Sequence, residues 1–116
     1  MAIPHAKPAE VIDIQPLGPD LKNAQTTTLV KTDCLEVIRL VLAAGKEIKR
    51  HSVSGQITVQ CLEGNVVLST DESECQLTTG KLLYLSGSDD HALRAVEDSS
   101  LLVTILLEHQ QTETKD

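Results

Sequence analysis

Two histidines, His51 and His91, are the residues of this 116-residue chain best suited to chemistry. Imidazole accepts or donates a hydrogen bond, moves protons near neutral pH and ligates metals. Two imidazoles alone fall short of a first-row metal site. Catalytic zinc takes three protein ligands, and the non-haem iron triad adds a carboxylate to two histidines. No Asp or Glu lies between Val53 and Leu62 to complete such a set. The three cysteines, Cys34, Cys61 and Cys75, are odd in number and lack CxxC spacing, so neither a zinc ribbon nor a disulfide framework is expected. Cys34 and Cys61 lie in apolar runs and read as small buried hydrophobes. Cys75 follows the acidic run Asp71–Glu74, which opposes thiolate formation. The serines form no G-x-S-x-G elbow, and the glycines form no phosphate loop. Asp89-Asp90 reads as a solvated turn, with orientation of His91 as the functional alternative. His5 and His109 stand near the chain ends and are assigned no role.

The elements that must position these side chains are short strands. Thr26–Lys31, Leu35–Ala43, Gln56–Leu62, Asn65–Thr70, Glu74–Thr78, Lys81–Leu85, His91–Val96 and Leu101–Leu107 are expected as strands, separated by turn signals such as Ala44-Gly45, Ser54-Gly55 and Ser86-Gly87-Ser88. Glu63-Gly64 reads as a tight hairpin turn. All four prolines fall in the first 20 residues. They bracket Val11-Ile12-Asp13-Ile14, expected as a short edge strand because proline confines strands to edges. No segment sustains a helical period. The pattern predicts an all-β barrel or sandwich, with residues 1–22 as arm and lead-in, 23–108 as the barrel and 109–116 as a polar tail.

Composition removes several classes. Ten Lys and Arg against 17 Asp and Glu give a formal charge of -7, against nucleic-acid or anionic-membrane binding. There is no Phe or Trp and only one Tyr, Tyr84, so neither a base-stacking platform nor an aromatic cage is available. No apolar run approaches the ~20 residues of a membrane span. The start MAIPHAKPAE carries prolines where a signal peptide needs an apolar core, so the expected compartment is the cytoplasm. Leu101–Leu107 (LLVTILL) is apolar on both faces. Either a second subunit or the N-terminal arm must cover its outer side, and a homodimer is expected.

The spacing around the histidines resembles the two motifs of the cupin family. Gly45, His51 and Gly64 match the first motif, Gly, five residues, His-x-His, three or four residues, Glu, six residues, Gly. Gly80 and His91 match the second, Gly, five residues, Pro-x-Gly, two residues, His, three residues, Asn. Residues 65 to 79 separate them, as in the shortest cupins. The departures fall on the metal ligands, which in metal-binding cupins are three histidines and a carboxylate. The second His is Val53, the Glu is Ile57, Pro and Gly are Ser86 and Ser88, and the last Asn is Ala95.

The resemblance implies a cupin-type β-barrel, or double-stranded jelly roll, with its site inside. His51, Gln56 and His91 are then expected at a pocket mouth, with Val53, Val59 and Leu93 as walls. That mixture suits a small organic ligand. No cofactor is expected; any divalent transition metal would be held weakly by His51 and His91 and completed by water, Gln56 or an organic chelate. The bland reading is two partly buried, hydrogen-bonded histidines with no ligand. Two further classes stand beside it: a metal-dependent dioxygenase or isomerase using His51 and His91, and a ligand-sensing module acting with a separate partner.

Overall fold

The computed structural model describes residues 5–52, 54–86 and 90–107. Val53, Ser88, Asp89 and the expected tail 109–116 therefore lie outside the described residues. Among the described residues nine strands are formed: β1 (Thr27–Lys31), β2 (Leu35–Leu42), β3 (Glu47–His51), β4 (Gly55–Glu63), β5 (Asn65–Ser69), β6 (Glu74–Thr78), β7 (Leu82–Leu85), β8 (His91–Ala95) and β9 (Ser99–Leu107). They make a five-stranded sheet, β1-β2-β9-β4-β7, and a four-stranded sheet, β3-β8-β5-β6, antiparallel throughout. The all-β expectation holds. The described residues contain one short 3-10 helix, Gly18–Asn23, and no helix long and apolar enough to cross a membrane.

The two sheets face each other across a core of aliphatic side chains. Leu42, Ile57, Val59, Cys61, Leu101 and Ile105 come from the larger sheet, and Val66, Leu68, Leu77, Leu93 and Ala95 from the smaller. Alternation along each strand makes this possible. On β9, Leu101, Val103 and Ile105 share the inner side, while Leu102, Thr104 and Leu106 share the outer side.

Several expectations are corrected. Glu63-Gly64 is not a hairpin turn, because β4 and β5 belong to different sheets and do not pair. Gly64 sits at φ 106°, and a Cβ there would collide with Ser99 Oγ and the Asp98 carbonyl, so the chain turns a corner between sheets where only glycine fits. The segments that follow Gly45 and Gly80 interlock, β3 pairing with β8 in one sheet and β4 with β7 in the other. Val11–Ile14 forms no strand, and Val11 is 91% exposed. Cys34 is exposed, because it lies in the β1–β2 turn that the Thr32 hydroxyl organises by accepting from the Cys34 and Leu35 N–H groups. Cys61 is buried as expected, and burial pushes its thiol pKa up.

The lead-in crosses one end of the larger sheet's outer face and is tied there by two charged side chains. Arg39 donates to the Gln15 carbonyl (3.0 Å) and is buried beneath it. Glu63 accepts from the N–H groups of Leu17 (2.8 Å) and Gly18 (3.1 Å) and from the Ser100 hydroxyl (2.7 Å). Burial raises the Glu63 pKa, but those bonds and nearby Arg39 outweigh it, and the carboxyl sits below the ordinary glutamate range. A depressed folded-state pKa gives stability that is present above the unfolded value of about 4.3 and lost as pH falls through the folded value. Glu63→Gln is therefore expected to lower the melting temperature at neutral pH and to weaken the loss of stability on acidification below about pH 4.3. Thermal melts of both proteins across that range check it; parallel curves would show that Glu63 does not hold the lead-in by its charge.

Candidate functional site

His51 ends β3 and His91 begins β8, and the two are directly opposite in register. A β-bulge makes this so. Glu47 and Ile48 pair with Arg94 and Leu93, but His51 pairs with His91, so β3 carries one residue more than its partner over that interval. Simple alternation from the inward Ile48 would bring Arg50 to the inner side. The extra residue leaves Arg50 free to reach Asp71 (2.6 Å) outside, and turns His51 toward the barrel. On β8 no such device is needed, since His91, Leu93 and Ala95 alternate inward with Ala92 and Arg94 outward.

The two rings are in contact, with centroids 4.5 Å apart and planes inclined by 57°. His91 is buried, whereas His51 is exposed at the mouth. His51 Nδ1 lies 2.9 Å from the Lys49 carbonyl oxygen. A carbonyl only accepts, so Nδ1 carries the proton, and Nε2 of the neutral ring is an acceptor.

Behind the pair lies a cavity of about 180 Å³. At roughly 30 Å³ per water in the liquid, it holds a molecule of modest size. Ile38, Leu40, Ile48, Ile57, Val59, Leu93, Val103 and Ile105 line it together with His51 and His91. Among the described residues, the imidazoles are the only polar side chains in that lining.

Of the residues expected in the pocket, the fold brings His51, Val59, His91 and Leu93 to this one cavity. Gln56 is a correction. It precedes the inward Ile57 on β4 and so faces the other way, where its Oε1 accepts from the Tyr84 hydroxyl (3.0 Å) on the outer face. It is out of reach as a completing ligand. Sequence reasoning missed Ile38, Leu40, Ile48, Ile57, Val103 and Ile105. The signal for Ile57 was present, since it shares the parity of Val59. The lining from β2 and β9 was hidden because both strands are apolar on both parities.

These residues do not fit a resident first-row metal. The position that would carry a carboxylate is the hydrocarbon wall Ile57, and among the described residues no three His, Cys, Asp or Glu side chains converge. The carboxylate in the same row of the sheet, Glu36 beside Ile105, is bound to Lys31 at 3.5 Å. The arrangement can hold an apolar body against aliphatic walls and meet one polar group at the imidazoles.

No family model matches the chain, and no curated protein matches it. Solved structures do. A conserved protein of unknown function from Streptococcus pyogenes is 26% identical, with a TM-score of 0.72 over 93% of this chain and 96% of that one. A cupin superfamily protein from Desulfitobacterium hafniense superposes with a TM-score of 0.73 at 17% identity, over 89% of this chain and all of its own (100%). An RmlC-like cupin from Desulfovibrio desulfuricans gives 0.68 at 24% identity, over 88% and 97%. With its interlocked sheets and a histidine from each motif meeting inside, the chain has the cupin fold of the RmlC-like type.

Proposed function

We propose that this protein binds one small, largely apolar organic molecule in the barrel, with His51 and His91 as the polar contact, and does so without a resident metal. The observation that carries this reading is the cavity itself: aliphatic on all described sides except for the two touching imidazoles at its mouth. A concave apolar site with few convergent polar groups is what small-ligand recognition requires. Each buried CH₂ contributes about 0.8 kcal/mol, so a body of four or five carbons gives roughly 3–4 kcal/mol before ordering losses. On that scale such ligands bind in about the millimolar range. The free thiol of Cys34 at the surface favours a reducing compartment, the cytoplasm.

The working unit in this reading is a homodimer. Leu82, Tyr84 and Leu106 are 63%, 59% and 52% exposed on one outer face of the five-stranded sheet. The lead-in covers the Arg39 end of that face, leaving these apolar residues open. Net charge of -7 opposes self-association everywhere except on an uncharged patch of this kind.

Three measurements test these statements. Light scattering at micromolar concentration is expected to give a dimer for the wild type and a monomer for Leu102→Lys with Leu106→Lys; a monomeric wild type refutes the dimer. Val103→Phe fills the cavity and is expected to abolish binding of small apolar probes followed by the cavity methyl resonances, while the fold survives at a cost of about 1–3 kcal/mol. Zinc titration is expected to give only weak binding to the wild type and about tenfold or greater gain in Ile57→Glu, which restores a carboxylate to the wall. Micromolar or tighter zinc in the wild type would support a metal-dependent enzyme instead.

A further inference from the structure

We infer that the cavity selects small monocarboxylic acids with a compact hydrocarbon body over alcohols, amines and diacids of similar size. This rests on the ligand-binding reading above and names the chemical class. The His51 Nδ1–H is held by the Lys49 carbonyl at 2.9 Å, which fixes the tautomer and leaves Nε2 as the acceptor. A carboxyl group facing that nitrogen shares one proton with it. Whichever partner holds the proton, the contact is a strong hydrogen bond and the pair has no net charge. Charge-assisted bonds of this kind are roughly twice as strong as neutral ones. An alcohol of the same skeleton supplies only the weaker, neutral bond.

The remaining selectivity is electrostatic. The rings are 4.5 Å apart, so two imidazolium charges would repel strongly. The pair can neutralise one negative charge and not two, which turns away diacids and phosphate. An ammonium group finds no acidic side chain in the lining, since Glu36 in the Ile105 row is bound to Lys31. Lys49 and Arg50 precede His51 in sequence and Asp90 precedes His91, with Arg50 taken up by Asp71. Polyhydroxylated molecules would leave their hydroxyls against eight aliphatic side chains. The cavity of about 180 Å³ admits a branched five-carbon acid or a single ring.

The test uses the full chain and four probes: isovalerate, isoamyl alcohol, isoamylamine and succinate. NMR titrations read the His51 and His91 ring resonances and the methyls of Ile57, Val59 and Val103. Isovalerate is expected to bind about tenfold or more tightly than isoamyl alcohol, with isoamylamine and succinate weaker still. In His51→Leu, a change at an exposed position, isovalerate is expected to fall to the affinity of the alcohol, while the alcohol changes less than about threefold. Alcohol binding equal to the acid's in the wild type overturns the acid preference and leaves the ligand-binding reading standing. Succinate or isoamylamine binding as tightly as isovalerate overturns the charge argument. No shift of the cavity methyls with any probe overturns the ligand-binding reading itself.

Discussion

Strand β9 fixes the molecule, because it runs between β2 and β4 along most of their length. Its two-residue period determines what each neighbour presents. With Leu101, Val103 and Ile105 inward, the partners Leu40, Ile38, Cys61, Val59 and Ile57 must also face inward. A slip of one residue would bring Leu102, Thr104 and Leu106 to the core and Arg39 with them. The cavity wall and the bare outer patch are thus two consequences of one register.

Against that rigid sheet, the smaller sheet makes one adjustment. The bulge in β3 costs a regular ladder and re-aims a single side chain. It separates two neighbours with opposite needs, sending Arg50 to Asp71 in solvent and His51 to His91. Where metal-binding cupins carry a carboxylate, this chain has Ile57, so the polar part of the site shrinks to two rings and the hydrocarbon part grows.

Much of this architecture was legible in the residues, because alternation and glycine spacing are local signals. Eight of the strands were placed within a few residues of their observed ends. β3 was passed over because Glu47–His51 carries one aliphatic residue, Ile48, too few for alternation to register. Glu63-Gly64 carried the signature of a turn, and a turn it is. Whether it folds a strand back or sends it to the other sheet depends on contacts with Asp98 and Ser99, more than 30 residues away. Gln56 stands beside the motif's Glu position, which suggests the pocket, although its parity against Val59 puts it outside. Cys34 was judged by its apolar neighbours, while its exposure follows from a turn made by Thr32. The His51–His91 meeting was foreseeable only through the family spacing, since the bulge that aligns them has no mark in the sequence.

The solitary tyrosine has an optical consequence. Tyr84 stands on the outer face, 59% exposed and bonded to Gln56, with no other Phe, Tyr or Trp in the chain. The barrel interior is therefore transparent in the near ultraviolet. Absorption or fluorescence from an aromatic guest in the cavity would stand almost without background. The protein's own emission comes from one phenol on the opposite side of the sheet, in direct contact with whatever approaches from outside.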